Sequence, residues 1–466
     1  MTNSDSNPDR ELASVLSDIQ DEIIEDGTAQ DVNIPGLSRR DVLIGLIVNI
    51  LLEGYELELS HSAADDRVRT TLQRMMNEQE GSSDSYDDPV GRFREDWPEI
   101  SGSKSLSTFE LLLPIPVTGR TDLLPGKIEF DGYTLRRIDL ETWRRFEQRA
   151  RDQDAEDADS YPPNLRVLLD RTALSEVTTS EYTFWKFDAE GIDADYLVQQ
   201  MESTLNVFLG QLSFVAHRGV PLRMDHSLNE IRIGTRTVFR PPPFYLIFRD
   251  SVFHRVHPSD YPVEKPIPRI RDGFYYEDAM TNFPSLRQIP SLSDSIYADD
   301  PSVHARSAEA QLGASFRTYG RAMREKDPES VFLSLYRTLE HITFTKYAES
   351  QEPLNRALRL LDAENDGPVN TLVNVVKDRR NTIVHEGTDV QITQTDLNLL
   401  KSLSASAMGR IGKLSKSYET EQIIAHITTA NIPARMSELE YEITEAEQKL
   451  SKKKEKLRIL EKVQDW

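Results

Sequence analysis

From Ala305 to the end of the chain, apolar side chains recur at helical spacing almost without interruption, and this constrains the protein more than any other feature. Amphipathic helices in series cannot each bury a stripe alone, so the pattern predicts a bundle. Helices are expected at 305–326, 329–349, 353–361, 370–385 and 395–417. The tail then changes period. Met436, Leu439, Ile443, Ala446, Leu450, Leu457 and Leu460 follow alternating steps of three and four, with Lys453 and Gln464 at the remaining core positions. About four heptads of this kind fit a coiled-coil helix at 432–466, and also a helix docked on its own domain.

Upstream the vocabulary is different. Phe109–Val117 is apolar but interrupted by Pro114 and Pro116, which reads as a strand with a bent or edge continuation. Residues 127–136 alternate on both sides of Asp131-Gly132, the strongest hairpin signal in the chain. Tyr182–Phe187, Ile231–Phe239 and Phe244–Phe248 are further strand candidates, and Asp193–Phe208 is an amphipathic helix. Before them, Ser38 is placed to cap a helix running to about Glu58, and a second helix is expected from Ala63 to Glu78. The expected fold is α+β and multidomain. It comprises an acidic leader and helical segment (1–90), a β-rich α+β middle domain (105–250), a Pro-, Asp- and Ser-rich linker (251–304), a helical bundle (305–420) and the coiled-coil tail.

Composition excludes several functions. Among 466 residues the formal charge is −23, so the chain cannot coat nucleic acid by bulk attraction, and any RNA contact needs a local positive patch. There is no cysteine, which removes disulfides, zinc ribbons and thiol nucleophiles together. No Walker-type phosphate loop and no nucleophile elbow occur. The longest strongly apolar stretch, Val42–Leu52, is broken by Gly45 and Asn49 and is about half the length of a membrane span, so it reads as a buried helix of a cytoplasmic protein. Arg supplies 39 of the 55 basic residues; salt adaptation and GC-rich coding both favour that bias.

The stretch that carries chemistry is Asp378-Arg379-Arg380-Asn381-Thr382-Ile383-Val384-His385-Glu386-Gly387. It closes a helix whose Leu372, Val373, Val376, Ile383 and Val384 are expected to face a bundle core. In α-helical winding Asn381 and His385 share a face, and Arg380 can swing over the same edge. Gly387 suits the left-handed position after the last turn, which puts His385 at the helix C-terminus, where the dipole favours its charged form. A bare Arg and His at this spacing arise by chance; the Asn, the paired β-branched residues and the Gly make the motif moderately specific. On these residues alone, Arg380 paired with an acid and His385 acting as a cap is an equally good account.

Arg380-Asn381-Thr382-Ile383-Val384-His385 resembles the Arg-x(4–6)-His signature of the HEPN superfamily, and Val331–His341 is similar to the second helix of that bundle. The nearest likeness is to the Apea-like HEPN group of prokaryotic defence proteins, and it covers about 305–420. The resemblance implies a metal-independent endoribonuclease without cofactor, acting as an antiviral or stress effector and working as a homodimer through the bundle. His385 would be the general acid–base, Arg380 would neutralise the phosphate, Asn381 would orient it, and Arg379 would add charge for RNA. Glu386 departs from this by placing a negative charge beside the site. A non-catalytic HEPN scaffold that dimerises and binds nucleotide or a partner protein, and a coiled-coil assembly protein, are the alternatives.

Other residues carry less. Glu340 and His341 are candidates to support the site from the preceding helix. His254-x-x-His257, with Asp260 nearby, is expected to be a pair of solvated loop histidines and no metal is predicted. Lys449, Lys452, Lys453, Lys454 and Lys456 read as a solvated face of the tail.

Overall fold

Residues 8–24, 39–55, 57, 59–79, 93–97, 106–130, 133–156, 181–225, 230–233, 238–259, 267–281, 283, 307–345, 352–363, 367–386, 390–429 and 432–464 are described by the computed structural model of the chain. Helix and antiparallel sheet are combined, and the chain divides into two units. The first takes Met1–Ala216, Thr235–Glu277 and Leu286–His304; the second takes His217–Gly234, Asp278–Ser285 and Ala305–Trp466.

In the first unit, helices α1 (Pro8–Ile24), α2 (Arg39–Asn49) and α3 (His61–Gln79) enclose their own apolar cluster. The stretch too short for a membrane is α2 and the π-helical turn Ile50–Gly54 that ends it, with Ile44, Ile47, Val48 and Leu51 fully buried. Among the described residues no helix is long and apolar enough to cross a membrane. The proposed cap Ser38, the loop at 81–89 and the Asp131-Gly132 turn lie outside the described residues.

The sheet has six antiparallel strands: β1 (Ser107–Pro116), β3 (Lys127–Phe130), β4 (Tyr133–Ile138), β5 (Tyr182–Gly191), β8 (Phe244–Arg249) and β9 (Val252–Pro258), in the order β3-β4-β5-β1-β8-β9. A minor two-residue strand, β2 (Thr118–Gly119), follows β1 and pairs in parallel with β10 (Arg269–Ile270). The β3–β4 register pairs Phe130 with Tyr133, as a two-residue turn requires. Helix α4 (Leu140–Glu156) covers one face through Trp143, whose ring lies 4.6 Å from that of Phe184. Helix α5 (Ala194–His217) covers the other, where the rings of Phe208 and Trp185 are 5.4 Å apart. Burial on both faces explains why Leu111, Leu112 and Leu113 are all inside and why β1 shows no alternation from Leu111 onward.

Three expectations meet the structure here, the first intact and the other two corrected. First, β1 lies in the middle of the sheet, and its continuation through the two prolines is an edge, where it has one neighbour. Pairing with β8 ends at Leu112, whereas pairing with β5 runs to Pro116. Val117 N–H reaches Glu181 and the Thr108 carbonyl accepts from Asp250, so even-numbered positions of β1 point towards β8. The missing N–H groups of Pro114 and Pro116 therefore face a side with no paired strand among the described residues. Second, the expected linker begins with an ordered strand, β9, so His254 and His257 stand on a sheet edge. Third, the strand expected over 231–239 is shorter: β7 (Glu230–Ile233) pairs with β6 (Leu222–Asp225) in a separate hairpin that belongs to the helical unit.

That second unit, which also takes in the end of the short helix α6 (Tyr276–Met280), is built on α7 (Ala308–Arg324), α8 (Pro328–Ile342), α9 (Pro353–Leu360), α10 (Gly367–Asn381), α11 (Gln394–Leu414) and α12 (Thr420–Thr428). Three of these helices start on a side-chain cap. Ser307 accepts from Ala310 N–H, Asp327 accepts from Ser330 N–H ahead of Pro328, and Thr393 with Asp396 forms a reciprocal capping box. Val331, Phe332, Leu335 and Leu339 give α8 a fully buried stripe. This helix stops at Ile342, seven residues before the expected end, where Phe344 takes a positive φ of 52° and turns the chain away. Helix α13 (Ile432–Gln464) follows, and its described side chains are exposed throughout.

Candidate functional site

The motif straddles a change of winding. Helix α10 ends at Asn381 and the next five residues, Thr382–Glu386, form a π-helical turn. In an α-helix Asn381 would stack on His385, but bonding from i to i+5 widens the turn and moves the alignment towards residues five apart. This corrects the shared face expected for Asn381 and His385: the winding favours Arg380 with His385. Gly387 lies outside the described residues.

Arg380 points inward. It is 7% exposed, its Nη2 is 3.6 Å from Glu340 Oε1, and its guanidinium carbon sits 5.5 Å from the centre of the Tyr336 ring. The carboxylate distance is too long for a hydrogen bond. Arg380 Nη1 and Asn381 Oδ1 are both buried without a hydrogen-bond partner. An unpaired buried polar atom of this kind costs roughly 1–3 kcal/mol. Burial raises the Glu340 carboxyl above the usual range, against the opposing charges of Arg380 and Arg337. Burial likewise pushes the Tyr336 hydroxyl up.

His385 is exposed on the π turn. Arg379 forms an ion pair with Asp396, the buried carboxylate of the α11 capping box, and its Nη1 lies 3.4 Å from Thr393 Oγ1. Its charge is thus engaged at the start of the next helix. His341 sits half-buried in the last turn of α8. The geometry therefore brings Glu340 to Arg380, turns Arg379 towards Asp396, and leaves His385 at the surface. Leu372 and Val384, expected in the bundle core, are 38% and 47% exposed, together with Val375; only Val373, Val376 and Ile383 face inward.

Two partners went unread in the sequence although signals existed for both. Tyr336 precedes Glu340 by four positions on one helix face, and Thr393-x-x-Asp396 is a capping signature.

The histidines of β9 form a second polar cluster, in contrast to the solvated loop expected for them. His257 Nδ1 is 3.3 Å from Asp195 Oδ1 in the first turn of α5, and Arg255 pairs with the same carboxylate. The hydrogen bond with His257 and the pairing with Arg255 hold Asp195 down at about 2, against its burial. Burial and the charges of Arg255 and Arg249 lower His254. Asp260 lies outside the described residues, and among the described residues no group of three or more His, Asp or Glu is arranged to hold a metal.

Comparison with protein-family models, with curated proteins and with solved structures finds no match to this chain.

Proposed function

We propose that the helical unit is a HEPN-type endoribonuclease that cleaves RNA by attack of a 2′-hydroxyl on the adjacent phosphorus. The observation that carries this reading is the unsatisfied pair at the motif: a buried guanidinium N–H and a buried amide oxygen, one helical turn from an exposed imidazole. A phosphate oxygen would satisfy Arg380 Nη1 with a charge-assisted bond. In the reaction His385 takes the proton from the 2′-hydroxyl, the new O–P bond forms, and the bond from phosphorus to the 5′-oxygen breaks. A second His385, from a twin subunit, protonates that leaving oxygen. The products are a 2′,3′-cyclic phosphate and a 5′-hydroxyl end. Exposed Leu372, Val375 and Val384 beside the motif offer apolar contact for that twin. An antiviral or stress role in the cytoplasm is the biological setting that this reading implies.

The test is cleavage of structured and unstructured RNA by the purified chain in chelator, with the product ends identified. His385→Ala is expected to lower the rate at least 100-fold. Cleavage that persists in both His385→Ala and Arg380→Ala overturns the assignment, as does a strict magnesium requirement. One observation favours the non-catalytic alternative: Arg380 is 7% exposed and Arg379 is neutralised by Asp396, as in a bundle that dimerises without turnover. Absence of cleavage of any RNA by a proven dimer selects that reading.

A further inference from the structure

Among the described residues nothing covers the apolar stripe of helix α13. Met436, Leu439, Ile443 and Leu450 are 57%, 40%, 57% and 52% exposed, and they occupy successive core positions of the heptad pattern. Burial of such a stripe is what holds a helix of this length together. The charges flanking it state which occupant fits. Between 435 and 447 the helix has five acidic residues and one basic; between 448 and 464 it has seven basic and two acidic. A helix dipole would reward such a bias only in the first and last turns, so it does not explain a split that divides the whole element.

We infer that α13 is a self-association helix that pairs antiparallel with the same helix of a second copy of this chain. With the two-fold axis beside Gln448, core positions meet as Met436 with Leu460, Leu439 with Leu457, Ile443 with Lys453, and Ala446 with Leu450. The flanking positions then set Glu440 against Lys454 and Glu442 against Lys456, on both sides of the axis. All four of these charged side chains are exposed. Two like-charge pairs remain at the centre, Glu447 and Lys449 each facing its own mate. Lys449 is already matched within its helix by Glu445 at 2.6 Å. The parallel arrangement is worse, because it sets Glu442 against Glu447 and Lys449 against Lys454 while gaining only the pairs of Arg435 with Glu440 and Lys456 with Glu461. Lys453 in the core weakens the pairing and fixes its register. This inference is independent of the nuclease reading, since the tail would join two chains whether or not the motif turns over RNA.

The absence of cysteine makes the test clean. Full-length Leu439→Cys and Leu457→Cys variants are oxidised separately and as an equimolar mixture, and cross-linked dimer is measured on non-reducing gels. The mixture is expected to form a heterodisulfide well above either variant alone. The charge reversal Glu440→Lys with Glu442→Lys is expected to abolish it in the Leu439→Cys background. Adding Lys454→Glu with Lys456→Glu to the Leu457→Cys chain alone restores it. Self-cross-linking of Leu439→Cys alone overturns the orientation. No cross-link in any mixture overturns the inference altogether.

Discussion

The polar groups inside the sheet and those at the motif are treated oppositely by the same chain. Around the sheet, the large buried donors have partners: Tyr245 donates to Glu202 at 2.8 Å, Tyr276 to Gln211 at 2.8 Å, and Trp185 Nε1 to Thr183 at 3.0 Å. At the end of α10, Arg380 Nη1 and Asn381 Oδ1 have none. The first arrangement is that of a scaffold, where these buried donors are matched because an orphan costs stability, although Arg255 Nε on β9 has no hydrogen-bond partner. The second sets two such orphans on successive residues, and unsatisfied groups are tolerated where a ligand completes them.

Substitutions in both regions put numbers on the contrast. The largest effect is expected in the sheet: Trp143→Ala removes the ring packed on Phe184 and Phe244 and should lower stability by about 3–5 kcal/mol in denaturant unfolding. Loss of less than about 1 kcal/mol would mean that α4 contributes little to that face. Next is a buried cation. Lys401 is 3% exposed and donates to the His217 and Val220 carbonyls, and burial lowers its ammonium to about 8. The unfolded chain keeps that proton to about pH 10.4, so between these values the unfolded state binds more protons and stability rises with pH. A gain of about 1–3 kcal/mol from pH 7.5 to 10 is expected relative to Lys401→Met, read from paired melting curves. Equal slopes would place the ammonium in a more polar setting.

The smallest effects sharpen the comparison directly. Tyr276→Phe leaves the buried Gln211 oxygen without its donor and should cost about 1–2 kcal/mol. Arg380→Met combined with Glu340→Gln removes a poorly matched pair and should change stability by less than about 1 kcal/mol, in either direction. If the double variant is as damaging as Tyr276→Phe or worse, Arg380 belongs to the scaffold and the distinction between the regions fails.

Much of this was legible from residues alone, and the failures share physical causes. Bundle helices α7, α8 and α11 announced themselves through the spacing of their apolar stripes, while the Ser307, Asp327 and Thr393 caps that start them went unread. Helix α4 did not, because Leu140, Trp143, Phe146 and Ala150 are its few apolar residues amid charges, and an aromatic pair at wide spacing carries the packing. Strand β9 was hidden by its composition: His254, Arg255 and His257 look like loop residues until the Asp195 carboxylate that pairs with two of them is in place. At the motif the individual residues were visible but their directions were not. The π turn changes which of them align, and no local pattern in Thr382–Glu386 announces it. Likewise the neutralisation of Arg379 depends on Asp396, seventeen positions away, which a helix-by-helix reading cannot supply.

The prolines of β1 have a consequence beyond their own geometry. Where β8 leaves off, an ordinary residue at either proline position would bury an amide donor with no ladder partner among the described residues, at roughly 1–3 kcal/mol each. Pro114 and Pro116 are both buried and carry no N–H, so neither leaves a donor to satisfy there. The strand thereby runs on past the end of its neighbour without paying for orphaned amides.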